Sequence, residues 1–187
     1  MIEIKGSIVS DSINSVKRRS GDQVYLGIVD RLGEQSRKLF EKTILASSWY
    51  PLDSFVEFLA LDIQLTANGN EQELVTRSEA LFDHQLKGIY RVFVKFGSPE
   101  FVLTRISVVH NSYFKGVSVQ VAMEGSDKAR IKYVGFEKQH RLIGLSIIGF
   151  FKKALEISGA KNVRVKYLTS IEEGKGYCDL ELSWTGK

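Results

Sequence analysis

The feature that most limits the fold is a long apolar segment between two stretches of alternating residues. Residues 139–158 are strongly apolar and precede Gly159, a pattern that predicts one buried helix with a glycine at its end. Apolar and polar residues alternate over residues 117–134 before this segment and over residues 163–184 after it, and each stretch contains a glycine-bearing turn. The order β-β-α-β-β predicts an antiparallel sheet covered by helices on one face.

The preceding part of the chain has the spacing of helices rather than strands. Asp22 is a candidate N-cap and Gly33 a candidate end for one helix, and Ser98-Pro99 supplies a cap and a proline at the first position of another. The predicted helices cover residues 22–33, 51–68, 86–96 and 98–114. A further helix before Gly21 ends in Lys17-Arg18-Arg19, whose positive charges complement its dipole.

These two patterns predict one α+β domain over residues 1–187. Residues 1–115 form a helical lobe, and residues 116–187 form a sheet-plus-helix lobe with a long apolar helix. No linker, internal repeat or low-complexity stretch separates the two lobes. With 43% hydrophobic residues, the chain has the composition of an ordinary globular protein, which excludes a disordered or fibrous one.

Charge and cysteine content exclude several kinds of partner. The net charge of +4 comes without a dense basic block, so we expect no nucleic-acid partner. No apolar run is long enough to span a bilayer, and the N-terminal residues are too polar for a signal peptide. Cys178 is the single cysteine, and its place in an alternating strand predicts a buried, inert thiol. We therefore expect a reducing, cytoplasmic location.

Motifs that carry enzyme chemistry are missing from the sequence. It contains no P-loop, G-x-S-x-G elbow or dinucleotide-binding glycine pattern, and its three histidines lack metal-ligand spacing. We therefore expect no enzymatic activity. His110 lies between apolar positions of a predicted helix, which on the residues alone favours a core or boundary histidine over a ligand.

Aromatic residues are abundant on the helices that should face each other. A helical lobe that closes over a sheet commonly leaves an apolar pocket between them, and aromatic side chains would line it. The alternative is that the same side chains fill the core and leave no cavity. The candidate pocket residues are Tyr90, Phe93, Phe101, Phe114 and Phe150.

Residues 88–114 resemble the segment of the heme–nitric-oxide/oxygen-binding (H-NOX) sensor family that contains its proximal heme histidine. The matching positions lie within residues 88–110 and align without a gap: Gly88, Tyr90, Gly97, Phe101, Val108, Val109 and His110. Gly6, Gly21-Asp22 and Tyr50-Pro51 also follow the order of that family, so the resemblance covers nearly the whole chain. It implies an H-NOX-like fold and, as a possible cofactor, heme with His110 as the axial ligand of its iron.

The resemblance is weaker where the family holds the heme propionates. That family uses a Tyr-x-Ser-x-Arg motif, and this chain keeps Tyr133 but has Gly135 and Glu137 in place of the serine and arginine. A glutamate would repel the propionates instead of attracting them. The resemblance therefore gives His110 and Tyr133 as cofactor-binding residues only if heme binds.

Residues 167–184 resemble the closing hairpin of 4-vinyl-reductase ligand-binding domains, and a group of myxobacterial proteins shares the overall layout. The resemblance therefore also implies the fold class of the ligand-binding domains of nitric-oxide signalling and Golgi transport.

Three hypotheses follow. We favour a non-enzymatic module that binds a small apolar ligand and signals to a partner protein. The alternatives are a heme-based gas sensor that uses His110 and a scaffold that forms homo-oligomers without a ligand.

Overall fold

The computed structural model describes residues 1–86 and 98–186 of the chain. Its α-helices are α1 (Gly6–Ser20), α2 (Asp22–Val29), α3 (Glu34–Phe40), α4 (Leu52–Thr66), α5 (Glu73–Leu86), α6 (Pro99–Thr104), α7 (Ile106–Tyr113) and α8 (Arg141–Ile157). Its strands are β1 (Glu3–Lys5), β2 (Trp49–Pro51), β3 (Phe114–Lys115), β4 (Ser118–Met123), β5 (Lys128–Val134), β6 (Lys161–Thr169) and β7 (Tyr177–Thr185). Short 3-10 turns cover Lys138–His140 and Ile171–Glu173.

The four strands after Gly116 form one antiparallel sheet in the order β4-β5-β7-β6. Together with α8 they give the predicted β-β-α-β-β order, and the α+β class is confirmed. One face of the sheet is buried, as the full burial of Ile131 and Leu180 shows. The other face carries charged side chains, including the exposed Arg164 and Lys166. The alternating residues are therefore confirmed as strands of a sheet with one buried and one solvent-exposed face.

Helix α8 is buried between α5 and the sheet, and two glycines make this close packing possible. A Cβ atom at Gly149 would lie 2.4 Å from the carbonyl oxygen of Val75 in α5. A Cβ atom at Gly144 would lie 2.2 Å from the hydroxyl of Tyr167 in β6. The helix ends at Ile157, and Gly159 follows with a positive φ of 102°. The predicted glycine end of this helix is therefore confirmed.

A small sheet that the sequence did not predict joins the start of the chain to later segments. Its order is β2-β1-β3, with Glu3 opposite Pro51 and Ile4 opposite Phe114. The first 115 residues are therefore not purely helical. Each of these strands is only two or three residues long, so none produces an alternating pattern that could be read in the sequence.

Several helix bounds differ from the prediction. Gly21 rather than Asp22 is the N-cap of α2, and Gly33 precedes α3, a helix absent from the sequence-based prediction. The segment after Ser98 is two helices, because Arg105 leaves the helical conformation with ψ near 4°. Ser98 does cap α6 by accepting the amide hydrogen of Phe101 at 3.2 Å.

Two other helices were predicted, over residues 51–68 and 86–96. The first is confirmed as α4. The second falls almost wholly outside the described residues. In residues 1–86 and 98–186, no helix combines the length and the apolar character needed to cross a bilayer.

Candidate ligand-binding cavity

A cavity of about 70 Å³ lies where the helical half meets α8 and β5. The helices α1, α4, α5, α7 and α8 contribute to its wall, and β3 and β5 close one end. Most of the wall is apolar, with side chains such as Ile8, Phe55, Leu74, Ile143 and Ile147. Pockets that hold drug-sized molecules usually have volumes of about 300–1,000 Å³. This cavity is smaller, so it suits a small ligand.

His110 lies at the buried end of this cavity. Its side chain is among the buried polar residues at 3% exposure. The imidazole stacks on the ring of Phe114 with centroids 5.1 Å apart and tilts against the ring of Tyr133 at 5.0 Å. Its Nε2 lies 3.3 Å from the carbonyl oxygen of Val117, an arrangement in which Nε2–H donates. The histidine that the sequence placed on an apolar helix face is therefore a hydrogen-bonded wall residue.

Burial also determines the protonation states at this end. Loss of water around the imidazole lowers the pKa of His110 to about 4, although the Val117 carbonyl opposes this shift. The ring is consequently neutral at pH 7. Burial raises the pKa of the Tyr133 phenol far above its usual value, so this side chain also stays uncharged. No charged group contributed by these two residues disturbs the apolar environment.

The predicted aromatic residues lie in different places. Phe114 and Phe150 line the cavity, and Phe150 meets the ring of Phe82 edge-on at 4.8 Å. Phe101 does not lie on the cavity wall, because its ring lies under the guanidinium of Arg105 at 3.6 Å. Tyr90 and Phe93 fall outside the described residues.

The opposite end of the cavity is charged, and no sequence pattern indicated it. Asp62 of α4 is almost completely buried and pairs with Arg19 of α1 and Arg77 of α5. Nη2 of Arg19 donates to both carboxylate oxygens at 2.9 and 3.1 Å, and Nη1 of Arg77 donates to Oδ2 at 2.8 Å. The hydroxyl of Thr66 donates to Oδ1 at 2.9 Å. Three helices therefore meet at one carboxylate.

The prediction that Lys17-Arg18-Arg19 forms the positive end of α1 is confirmed, and Arg19 has a further contact. All three residues lie in the last turn of the helix, but only Arg19 turns toward the cavity. Lys17 pairs instead with Asp22 at 3.3 Å and lies over the ring of Tyr25. Arg18 is exposed. One member of an apparently uniform basic run therefore pairs with a buried carboxylate.

The place of the propionate motif does not fit a heme held in the manner of the family. Gly135 has a φ of +118°, and a Cβ atom there would lie 2.8 Å from the carbonyl oxygen of Gly116. A serine at this position would be strained and would clash with backbone. Glu137 caps the 3-10 turn that ends at His140, and its backbone N–H donates to His140 Nδ1 at 3.0 Å.

Arg141 does not replace the missing arginine. Its guanidinium pairs with both carboxylate oxygens of Glu71 and also lies 3.7 Å from Glu172. The Nε2 of His110, the atom that would face iron, is directed to the Val117 carbonyl. The described residues thus supply a neutral histidine at the cavity wall, but at the place of the family's motif they offer no cradle for two propionates.

The thiol of Cys178 is unsuited to act as a nucleophile at neutral pH. Cys178 is fully buried in β7, and burial raises the pKa of its thiol to about 12. This agrees with the inert thiol expected from the sequence. Over residues 1–86 and 98–186, no three His, Cys, Asp or Glu side chains are grouped so that they could hold a metal ion.

A helical half, a four-stranded antiparallel sheet and a histidine-bearing cavity between them define the fold of this chain. Comparison with solved structures gives that fold its name. An H-NOX protein from S. oneidensis in the Fe(II)NO ligation state superposes with a TM-score of 0.77 at 15% identity, over 98% of this chain and 100% of that chain. The chain therefore has the H-NOX fold, as its resemblance implied.

Two further solved structures support the same fold. The Fe(II) unliganded H-NOX protein from K. algicida gives a TM-score of 0.76 at 12% identity, with 98% of each chain covered. A mutant of the H-NOX protein from T. tengcongensis gives 0.71 at 11% identity, again over 98% of each chain. No family model matches the sequence, and no curated protein does. At these identities the likeness concerns the fold alone.

Proposed function

We propose that this protein is a non-enzymatic sensory module that binds a small, largely apolar molecule in the cavity between its two halves and signals to a partner protein. The observation that carries the proposal is the position of the cavity. Its wall combines Ile8 of α1, Phe55 of α4, Leu74 of α5, Tyr133 of β5 and Ile147 of α8. A bound molecule would contact four helices and one strand at once.

Such a position supports a sensor because it couples occupancy to the arrangement of helices. Helices α5 and α8 are packed tightly through Gly149, and α1 and α4 also contribute to the cavity wall. A ligand that prefers one spacing of these helices shifts the molecule toward that spacing. A partner that reads the surface of α1 or α4 would then respond to the ligand.

The absence of enzymatic activity is part of the proposal, and the protonation states support it. A catalytic acid or base works best with a pKa near the working pH. The pKa of His110 is lowered to about 4 and that of Cys178 is raised to about 12. Both groups are therefore poorly suited to proton transfer or nucleophilic attack at pH 7.

The scaffold alternative loses its best candidate interface. The long apolar helix α8 would be the natural surface for a subunit contact, but the structure buries it against α5 and β6. Its fully buried members include Ile143, Phe151 and Leu155. A signalling partner, a homo-oligomer and a cytoplasmic location remain predictions that go with the proposed function.

Binding of benzene tests the proposal, because apolar cavities in proteins take up this probe. Methyl NMR of the protein should show saturable shifts at Ile8, Ile143 and Ile147 as benzene is added. Ser12→Leu places an aliphatic side chain on the cavity wall and should abolish the shifts. Asn14→Leu, on the exposed face of the same helix, is the matched control and should leave them intact.

The outcome that overturns the proposal is equally definite. If benzene causes no saturable shifts, or if Ser12→Leu and Asn14→Leu behave alike, the cavity is not a binding site. A hemin titration followed by absorbance distinguishes the heme alternative. Stoichiometric uptake with a Soret band that disappears in His110→Ala would replace this proposal with the heme gas sensor, the alternative favoured by a neutral histidine at the wall.

A further inference from the structure

At the charged end of the cavity, one buried N–H group of Arg77 lacks a hydrogen-bond acceptor. The carboxylate of Asp62 already accepts hydrogen bonds from Arg19, Arg77 and Thr66. Nε of Arg77 is buried and has no hydrogen-bond partner among the described residues. A buried guanidinium N–H without a partner is costly, so this position favours an additional acceptor.

The charges at this end do not balance. Among the described residues that line the cavity, Arg19 and Arg77 carry positive charge and Asp62 carries the opposing negative one. His110 at the other end is neutral, because its pKa lies near 4. A partly buried positive charge in excess attracts an anion more strongly than the same charge would in water.

The geometry suits a carboxylate in particular. A guanidinium presents its N–H groups as a planar fork that matches two carboxylate oxygens. Serine hydroxyls at positions 12, 15 and 78 stand on the same wall and offer further donors. The side chain of Arg19 is 32% exposed and that of Arg77 is 14% exposed, whereas His110 is 3% exposed. The cationic end is therefore the one nearer to solvent.

We propose that the cavity takes a small amphipathic carboxylate, whose anionic group binds to Arg77 and Arg19 and whose apolar part extends toward His110. This inference rests on the proposed function and names the class of its ligand. The unpartnered Nε of Arg77, the excess positive charge and the apolar far end each favour one part of such a molecule. A neutral apolar ligand would satisfy only the last.

Butyrate and butyramide test the inference, because they have nearly the same shape and differ mainly in charge. Titrations of the full chain at pH 7.5, followed by NMR, should give butyrate about tenfold or more tighter binding than butyramide. Arg77→Gln should remove most of this preference while butyramide affinity stays the same. Arg19→Gln, at a more exposed position, should reduce the preference by a smaller factor.

Two further variants separate a specific site from a general charge effect. Asp62→Asn keeps both guanidiniums and removes the competing carboxylate, so it should increase the preference for butyrate. Arg18→Gln removes one positive charge from an exposed position next to Arg19 and should change nothing. Increasing salt should weaken butyrate binding and leave butyramide binding unchanged.

The possible failures are distinguishable. If benzene binds but butyrate binds no tighter than butyramide, the carboxylate inference is wrong and the binding cavity stands. An equal loss in Arg18→Gln and Arg77→Gln would also overturn it, since the effect would then follow net charge. If none of the three probes binds, both proposals fail. The wild-type comparison of butyrate with butyramide decides the matter even if a variant does not fold.

Discussion

The imidazole of His110 is neutral because the aromatic rings around it exclude water. With a folded pKa of about 4 and an ordinary value of 6.5, the unfolded chain binds the proton more readily than the native one. The contribution of His110 to the unfolding free energy is therefore fully present above the unfolded pKa, and it is lost as the pH falls from about 6.5 to about 4. The shift corresponds to about 3 kcal/mol of unfolding free energy at the low end of this window.

Urea denaturation at a series of pH values measures this contribution. His110→Gln cannot titrate, so its unfolding free energy should fall less steeply between pH 6.5 and pH 4 than that of the wild type. His84→Gln removes an exposed histidine of α5 and should keep the wild-type slope. Equal slopes in wild type and His110→Gln would show that the buried imidazole is not the cause.

Gly135 occupies the place of the family's propionate-binding serine, and its backbone explains why no serine is present. We expect Gly135→Ser to lower the unfolding free energy by about 3 kcal/mol or more, since a positive φ and a clash with the Gly116 carbonyl act together. Gly69→Ser is the matched control, with a φ of +77° and no atom near its Cβ position, and should cost about 1 kcal/mol. If both variants lost a similar amount of unfolding free energy, backbone strain alone would account for the loss, and the clash with the Gly116 carbonyl would contribute nothing.

At the scale of elements, the close contact of α5 with α8 depends on a single missing side chain. In Gly149→Ala, the new methyl would lie 2.4 Å from the Val75 carbonyl oxygen and 2.7 Å from the Ser78 Cβ. The two helices must separate, and we expect a loss of about 2 kcal/mol or more in urea unfolding. Gly27→Ala in α2 meets only the end of the Arg31 side chain, so it should instead stabilise by about 0.5–1 kcal/mol. Effects of the same sign would contradict this account.

The elements that could be predicted from the sequence are those with their own periodic pattern. Strands β4–β7 have alternating sequences and α8 is a continuous apolar run, so the order of these elements and a sheet covered on one face could be predicted. The small sheet β2-β1-β3 could not be predicted, because long-range pairing creates its short strands. The break at Arg105 was also hidden, since residues on both sides continue one apolar stripe.

The candidate site was predictable only at its apolar end. His110 was recognisable because it interrupts an apolar helix face and matches a family position. The pairing of Arg19, Asp62 and Arg77 was not, because its members are far apart in sequence on α1, α4 and α5. In the sequence, Arg19 belongs to a basic run whose simplest role is to complement a helix dipole. Only the packing of three helices turns it toward a carboxylate.

Across the whole molecule, the described residues form one hydrophobic cluster that extends from Ile4 in β1 to Trp184 in β7. The cavity lies within this cluster rather than at a boundary between separate cores, since its wall includes Ile4, Leu74 and Ile147. Cooperative unfolding of both halves follows from a shared core. This is the physical basis for the prediction that residues 1–187 are a single domain.

The two tryptophans test that prediction because each reports on a different half. Trp49 lies in β2 of the small sheet, and Trp184 lies in β7 of the four-stranded sheet. In Trp184→Phe the remaining fluorescence follows the first half, and in Trp49→Phe it follows the second. Within each variant, the urea midpoint from fluorescence should coincide with that from far-UV circular dichroism, which follows the whole chain. A fluorescence midpoint that departs from the dichroism midpoint in either variant would mean that the halves unfold separately, and a ligand in the cavity would then bridge two domains instead of filling one core.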